Sequence, residues 1–499
     1  MGRDVMQPVE LSDEQGDGTG PVTTGPGTPA EAAPTRRWGR RRRWALEVVA
    51  ILVVGLVATQ AVLDARERAH LARLATVPGV LAPVDASIRT LWSSSDWSTI
   101  YSLAGGAFGD LSIGGHIDDA GERTARAVRT RTGEQVWTTV LSAADPGARA
   151  RGARSGPACS VDERASQVVC LVSDAARLDN ADGSLTPVPA TFARLVVLDA
   201  LTGRLVAQHD EPVTSALSAG LLDGLTVLAS RSDTGHLVVV GEEPRTGEVR
   251  WRFESSDALA DALPYSWSQD PSGVSLAVVA GHIGVTASGG EVWVLAGGGE
   301  LVDHVGPGHL TGVVSVRNRV VVVDYGPTAS GAQSMRIVAG GGSLGDASHE
   351  QPVSFQVDDG SVPNLLFTMS DKLDAWDLTT GRRAWTDDVS VSSNALLLDG
   401  RIYARTTGGL LYAIDAATGT TLWDVPLTSG SDGSVSTDGR SILASEPTPT
   451  GPAELVAFAT DDGRRLWQSP LPGSVAYVWP FGRLLVGASE DGSSTAVLG

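Results

Sequence analysis

Residues 410–423 read LLYAIDAATGTTLW, two short apolar runs separated by a turn that contains Asp415, Thr418 and Gly419. A carboxylate at the start of such a turn can hydrogen-bond to its own backbone. A glycine at its end can adopt the positive φ that closes a tight hairpin. The stretch therefore predicts two antiparallel strands joined by a short turn, with Trp423 on the second strand.

The Thr-Gly-x-x-x-Trp part of this stretch recurs along the chain. One copy has Asp462 in place of the Thr, and another has Ala207 in place of the Trp. The turn glycines of the six copies are Gly133, Gly203, Gly247, Gly381, Gly419 and Gly463, and the tryptophans are Trp137, Trp251, Trp385, Trp423 and Trp467. Recurrence at intervals of about forty residues is typical of a four-stranded propeller blade.

This repeat predicts an all-β fold, a β-propeller of about eight four-stranded blades. Weaker strand and turn patterns near Gly299 and Gly341 fill the longest interval between the turn glycines. After Trp467 the sequence supplies three more strands, and residues 88–92 are expected to supply the fourth, so that both chain ends close the last blade. A Trp at one place in each blade is expected to pack between blades, because it buries a large apolar area.

The D-x-x-T-G-x-x-x-W hairpin resembles the repeat of pyrroloquinoline-quinone (PQQ) enzymes and of their cofactor-free relatives, such as the outer-membrane assembly lipoprotein. The resemblance covers residues 90–499 and is specific for this type of propeller. It implies the fold. It does not imply that the quinone is bound, because the repeated residues describe the turns and the packing of blades.

The segment before the repeats predicts a membrane anchor. Residues 1–35 are rich in Pro, Gly and Thr and are expected to be disordered. A basic block ends at Arg43, and Ala45–Leu63 follows with Glu47 as its only charge. A helix of that length spans about 28 Å, close to the hydrocarbon thickness of a bilayer.

The arginines on one flank of this apolar segment place the N-terminus in the cytoplasm and the propeller outside the cytoplasm. A cleaved signal peptide is the alternative, and it gives the propeller the same location. The expected organisation is a disordered, basic-ended cytoplasmic tail (1–43), a single transmembrane helix (44–64), a juxtamembrane linker (65–89) and the propeller (90–499).

Charge and cysteine content agree with export. The chain has a net charge of −20, which would repel phosphate backbones, so no nucleic-acid partner is expected. Cys159 and Cys170 lie in two strand-like runs joined by a polar turn, and an oxidising compartment would allow them to form a disulfide. Two buried thiols are the alternative. Quinone-dependent alcohol dehydrogenases of the resembling family instead carry a disulfide of adjacent cysteines.

The remaining motifs indicate little chemistry. Residues 341–345 satisfy the G-x-S-x-G pattern but do not stand between a strand and a helix, so a flexible turn is expected. His304 and His309 lie in a Gly/Pro loop without a third ligand, and we expect no metal site there. Trp267, Trp293 and Trp376 stand outside the repeat and could stack on a flat cofactor. We predict no catalytic, cofactor-binding or metal-ligating residues.

Two classes of function agree with these observations. The first is a membrane-tethered, extracytoplasmic and non-enzymatic binding module for an envelope protein or a cell-wall component, without a cofactor. The second is a PQQ-dependent dehydrogenase of alcohols or sugars. The second class would need a calcium ligand set and a catalytic Asp in the central channel.

Overall fold

The structure, a computed structural model, describes residues 38–95, 106–145, 147, 156–179, 185–188, 190–212, 218–261, 263, 273–316, 319–326, 334–338, 350–391, 394–406, 408–428, 434–448 and 452–499. It divides into two compact units, Met1–Glu67 and Arg68–Gly499. A single long helix, α1, runs from Trp38 to Leu74 and crosses this boundary. Everything after it in the described residues is strand, turn or irregular chain.

The first half of the second unit forms four blades, and β1 (Thr90–Ser94) belongs to the last blade of the ring. Blade 1 contains β2 (Ala107–Phe108), β3 (Leu111–Ile117), β4 (Arg123–Arg129) and β5 (Gln135–Ser142). Blade 2 contains β6 (Ala158–Asp162), β7 (Gln167–Ser173), a separate hairpin of β8 (Ala176–Asp179) and β9 (Leu185–Val188), then β10 (Ala193–Asp199) and β11 (Leu205–Asp210). Blade 3 contains β12 (Ser218–Leu222), β13 (Leu225–Arg231), β14 (His236–Glu242) and β15 (Val249–Ala258). Blade 4 contains β16 (Val274–Val279), β17 (His282–Ala287), β18 (Val292–Ala296) and β19 (Leu301–Val305).

The second half forms the remaining blades. Blade 5 contains β20 (Thr311–Val316), β21 (Arg319–Asp324) and β22 (Ser334–Ile337). Blade 6 contains β23 (Gln351–Pro352), β25 (Leu365–Met369), β26 (Leu373–Asp377) and β27 (Arg383–Asp387), while β24 (Phe355–Asp358) joins the sheet of blade 7. Blade 7 contains β28 (Ala395–Leu398), β29 (Arg401–Arg405), β30 (Leu410–Asp415) and β31 (Thr421–Pro426). Blade 8 contains β32 (Val435–Thr437), β33 (Ser441–Glu446), β34 (Glu454–Ala459) and β35 (Arg465–Pro470), and blade 9 contains β36 (Val475–Phe481), β37 (Leu484–Ser489), β38 (Thr495–Leu498) and β1.

The described residues thus form a β-propeller of nine blades, and the predicted number of about eight is wrong. The error follows from how the last blade is built. Its third and fourth strands are β38 and β1, which pair antiparallel with Thr90 opposite Leu498. Because these strands come from opposite ends of the chain, no turn joins them, and a count of turn glycines finds one blade too few.

The predicted membrane-spanning helix over 44–64 is not supported by the structure. The segment is helical, but α1 continues past Leu63 through Asp64, Arg66 and Glu67 to Leu74. Over the residues that the structure describes, no helix is both long and apolar enough to cross a membrane.

One contact joins successive blades: a Trp of one blade lies on the turn glycine of the next. Trp137 of blade 1 donates its Nε1–H to the carbonyl of Ala200 in blade 2 at 3.0 Å. Three more indoles donate in the same way to the next blade: Trp92 to Thr130 at 2.9 Å, Trp385 to Ala416 at 3.2 Å and Trp423 to Thr460 at 3.2 Å. Each of these four indoles therefore packs its ring on the neighbouring blade and satisfies its only donor there. Trp251 lies in the same way on Gly299 of blade 4, but its buried Nε1 has no hydrogen-bond partner among the described residues.

The turn glycine allows this contact for two reasons. At Gly463 the backbone has φ +71°, a conformation that side chains with a Cβ rarely adopt. A Cβ placed there would also lie 2.6 Å from Cε3 of Trp423. The Asp at the start of the turn holds it closed: Oδ1 of Asp415 accepts hydrogen bonds from the backbone N–H and the hydroxyl of Thr418, both at 2.9 Å.

We predict that Trp423→Ala destabilises the propeller by about 3–5 kcal/mol, as large truncations in a core do. Leu422→Ala, on the same strand but 43% exposed, should change stability by less than about 0.5 kcal/mol. Gly463→Ala should also destabilise the protein, and it should cost less in the Trp423→Ala background, where its clash with the indole is gone. Denaturant midpoints of the wild-type protein and of these four variants measure the changes in stability. Strictly additive effects of Trp423→Ala and Gly463→Ala would contradict the predicted coupling.

Cys159 and Cys170 lie directly opposite each other on β6 and β7, and their Sγ atoms form a disulfide in blade 2. Both residues belong to the core between blades 1 and 2, with Ile113 and Val196. The bond therefore fastens the innermost strand of blade 2 to its neighbour.

We expect both cysteines to be resistant to alkylation in protein that is unfolded without reductant, as measured by mass spectrometry. Reduction should lower the melting temperature, because closing a loop of this size stabilises a fold by about 3 kcal/mol in the chain-entropy model. A Cys159→Ser, Cys170→Ser double variant is the control, and its melting temperature should not respond to reductant. Two freely alkylated thiols in the wild-type protein would contradict the prediction.

Candidate functional site

The two rims of the propeller differ in the length of their connections. In a blade of four antiparallel strands, the first and third turns share one rim, and the second turn and the link to the next blade share the other. The first and third connections are short turns such as 223–224 and 416–420, except in blade 6, where the first includes β24. We call this the turn rim. The strand ends at the opposite rim, which we call the loop rim, are joined in sequence by the longer connections 95–106, 143–157, 174–192 and 259–273.

The last turns of α1 and the segment that follows it pack on the turn rim. His70 Nε2 lies 3.1 Å from a carboxylate oxygen of Asp399, in the first turn of blade 7. The backbone N–H of Leu81 donates to Thr437 of blade 8 at 2.9 Å, and that of Ala82 donates to Arg483 of blade 9 at 3.0 Å. Part of the turn rim is therefore already in contact with the chain's own N-terminal segment.

The innermost strands of blades 1 to 4 line a cavity of about 480 Å³. Its walls include Ala107, Ser160, Val161, Gly220 and Leu276. Small and apolar side chains dominate these walls, and Glu163 is the one carboxylate among the lining residues. Such a cavity can hold an apolar group or a short peptide segment, since pockets of a few hundred Å³ are typical of ligand sites.

Two of the three Trp residues that could stack on a cofactor are packed against protein groups instead. Trp293 is 4% exposed, and its ring stacks on the His304 ring at a centroid distance of 5.0 Å. Trp376 is 3% exposed, and the Arg383 guanidinium lies 4.8 Å from its ring centroid. Trp267 lies outside the described residues, as does the G-x-S-x-G stretch at 341–345.

The two histidines expected to share a Gly/Pro loop have separate positions and partners, because His304 lies on β19 and His309 lies after it. His304 stacks on Trp293 as described, whereas His309 Nδ1 lies 2.9 Å from a carboxylate oxygen of Asp324. The His309 side chain is 49% exposed. It forms a surface pair with Asp324.

A cluster of titratable side chains lies between blades 2 and 3, where the repeat lacks its Trp. Ala207 occupies the Trp position of β11, and His209, two residues further on, packs on the turn glycine of blade 3 instead. A Cβ added at Gly247 would lie 3.1 Å from Cδ2 of His209. The imidazole thus takes the place that the indole of Trp137, Trp385 or Trp423 has at other junctions between blades.

Two glutamates surround this imidazole. Nε2 of His209 lies 3.1 Å from Oε1 of Glu211 and 3.1 Å from Oε1 of Glu242. The side chains of Glu211 and Glu242 are 7% and 4% exposed, and that of His209 is 21% exposed. Glu211 follows β11 in blade 2, and Glu242 ends β14 in blade 3. In the described part of the chain, these three residues are the group of His, Cys, Asp or Glu side chains that could hold a metal ion.

Burial and mutual repulsion set the electrostatics of the cluster. Burial, and then the neighbouring charge of Glu242, raise the pKa of Glu211 from its usual 4.5 to about 7. The charge of His209 opposes this rise, and that of Asp210 adds to it. Close to neutral pH, the Glu211 carboxyl group is therefore protonated for part of the time.

Two other buried glutamates in the ring have arginine partners. Glu350 in blade 6 accepts a hydrogen bond from Arg383 at 3.1 Å, and Glu446 in blade 8 accepts one from Arg465 at 2.8 Å. Glu211 and Glu242 instead both lie beside the same imidazole, that of His209.

Sequence analysis missed this cluster. Its one local signal is His-x-Glu at residues 209–211, directly after the repeat copy that has Ala207 in place of Trp. The third member comes from the next blade, so no spacing within a motif relates it to the other two.

Comparison with known proteins supports the fold at low similarity. A family model described as the outer membrane protein assembly factor BamB matches residues 336–477, less than a third of the chain. No curated protein matches the sequence significantly.

Among solved structures, BamB from Moraxella catarrhalis is 14% identical with a TM-score of 0.38, covering 82% of this chain and 99% of that chain. A quinohemoprotein alcohol dehydrogenase from Pseudomonas putida is also 14% identical with a TM-score of 0.38, covering 84% and 78%. A eukaryotic initiation factor is 10% identical with a TM-score of 0.42, covering 79% and 90%.

We predict that the cluster makes stability depend on pH. An acid whose pKa is raised on folding stabilises the folded state below its usual pKa, and this stabilisation is lost as the pH rises through the raised value. With a chelator present, the contribution of Glu211 should therefore decline between pH 4.5 and about 7. The melting temperature of Glu211→Gln should fall less over this range than that of the wild-type protein.

Glu254→Gln is the matched control, since its side chain is 47% exposed on the outermost strand of blade 3. Its melting curve should follow that of the wild-type protein. If the Glu211→Gln and wild-type curves ran parallel across the range, the raised pKa would be refuted.

Proposed function

We propose that this propeller is a non-enzymatic binding module, located outside the cytoplasm, for a protein or a cell-wall component of the envelope. The observation that carries the proposal is the one-sided distribution of the connections. A rigid ring that presents its long loops on one rim is the usual arrangement of a scaffold for recognition. The loop rim is also opposite to the rim that the segment after α1 contacts.

The location rests on the disulfide and on the charge. A disulfide such as Cys159–Cys170 persists in oxidising compartments and is rare in the cytosol. The net charge of −20 favours a soluble exported surface and disfavours polyanionic partners. The partial match to a family described as an outer membrane assembly factor supports an envelope partner.

The alternative is a PQQ-dependent dehydrogenase of alcohols or sugars, and the packing of Trp293 and Trp376 disfavours it. A quinone would need an indole face that is open to the channel. One face of each of these indoles already contacts His304 or Arg383, and both side chains are buried.

The full-length protein, cross-linked in cells and purified, is expected to retain one envelope partner through the loop rim. A variant in which a short turn replaces 175–190, removing the β8–β9 hairpin, should lose or weaken this capture. The hairpin forms its own two-stranded sheet, and β7 and β10 still pair from Ser173 to Ala193 without it. Leu201→Ala is the control, because Leu201 is 58% exposed in a turn of the opposite rim.

Incubation of the same protein with PQQ and calcium separates the two classes. We expect no quinone absorbance after desalting and no dye-linked oxidation of alcohols or glucose. Stoichiometric retention of the quinone, with a melting temperature that rises with its concentration, would establish the alternative. Equal capture of the partner by the hairpin variant and by Leu201→Ala would exclude this hairpin of the loop rim as the binding surface.

A further inference from the structure

The cluster between blades 2 and 3 lacks a group that can serve both of its carboxylates. His209 presents a single nitrogen, Nε2, to two oxygens that each lie 3.1 Å away. One N–H can point at only one of these oxygens, and the geometry at His209 Nε2 is that of a hydrogen bond to Glu242. The buried Glu211 carboxylate lies at the same distance from this nitrogen without receiving its hydrogen bond.

The donor atoms already have the spacing of a metal site. Bonds of about 2.0–2.2 Å to a tetrahedral zinc ion place neighbouring ligand atoms about 3.3–3.6 Å apart. Nε2 of His209 lies 3.1 Å from each glutamate oxygen, and one donor atom from each residue falls within 4.8 Å of the other two. A cation at their meeting point would need only small side-chain movements.

We propose that His209, Glu211 and Glu242 bind one divalent transition-metal cation of the zinc type and thereby join blade 2 to blade 3. An imidazole with two carboxylates suits such a cation better than magnesium or calcium, which prefer oxygen ligands alone. Two carboxylates and a neutral imidazole also balance its charge.

A buried hydroxyl supports the proposal independently. Thr226 is 1% exposed and lies directly opposite Glu242 on the neighbouring strand, so both side chains point to the same face of the sheet. Among the described residues, its Oγ1 has no hydrogen-bond partner. A water on the open position of a three-ligand zinc ion could bond to this hydroxyl, and the partly exposed edge of His209 provides a path of entry.

The metal site would replace the indole contact that blades 2 and 3 lack. At four junctions an indole bonds to the next blade, whereas here the smaller imidazole lies on Gly247. Because two ligands come from blade 2 and one from blade 3, the metal would connect the blades directly.

The test uses the full-length protein, stripped with a chelator and titrated with zinc. We expect one equivalent to bind and the melting temperature to rise with zinc concentration. Magnesium should have no effect. Glu211→Gln and Glu242→Gln should each weaken zinc binding by at least about tenfold. Cobalt should bind with visible d–d absorption that both variants lose.

Two controls separate loss of the site from loss of the fold. Without metal, Glu211→Gln removes one of two repelling carboxylates, so its melting temperature should equal or exceed that of the wild-type protein. His309→Asn, which removes an exposed imidazole–carboxylate pair, should leave zinc uptake unchanged. Equal zinc uptake by wild-type and Glu211→Gln proteins, or no thermal response of the wild-type protein to zinc, would overturn the proposal.

Discussion

The contact between an indole and the turn glycine of the next blade is the constraint on which this ring depends. It involves both the glycine and the Trp of the repeat, because the glycine that closes one hairpin also contacts the Trp of the preceding blade. Trp137 and Gly203 show the economy of this arrangement: the ring would clash with any Cβ at 203, and its N–H meets a carbonyl of the same turn. A repeat that encodes both partners can be added blade after blade without new chemistry.

This coupling explains what the sequence could predict. Gly and Trp at a fixed spacing identify a hairpin and the Trp that packs between blades. They predicted a propeller with both chain ends in its last blade. The same residues gave the wrong number of blades, because a blade closed by β38 and β1 has no turn for the pattern to mark. The local spacing of residues does not predict strand pairing between distant segments of the chain.

The candidate site could not be predicted for a similar reason. Glu242 meets His209 only because blade 3 packs on blade 2, and the register of two sheets decides which side chains face each other. Trp293 and Trp376 looked available in the sequence, but the neighbours that cover them, His304 and Arg383, lie on adjacent strands. The sequence does show that Ala207 replaces the Trp of the repeat. A repeat copy that lacks its packing residue is a useful place to search for a binding or metal site.

The pairing of β1 with β38 also determines when the ring can become complete during synthesis. Thr495 donates its hydroxyl hydrogen to the carbonyl of Ser94, a residue 401 positions earlier in the chain. Blades 1 to 8 can form in order from chain that has already left the ribosome, but β1 must wait for β38. Until then the edge of blade 1 that receives Trp92 has no indole fixed upon it. Such late, long-range closure slows folding and leaves open edges exposed, so a holding chaperone would be most useful to this chain in its last stage of synthesis.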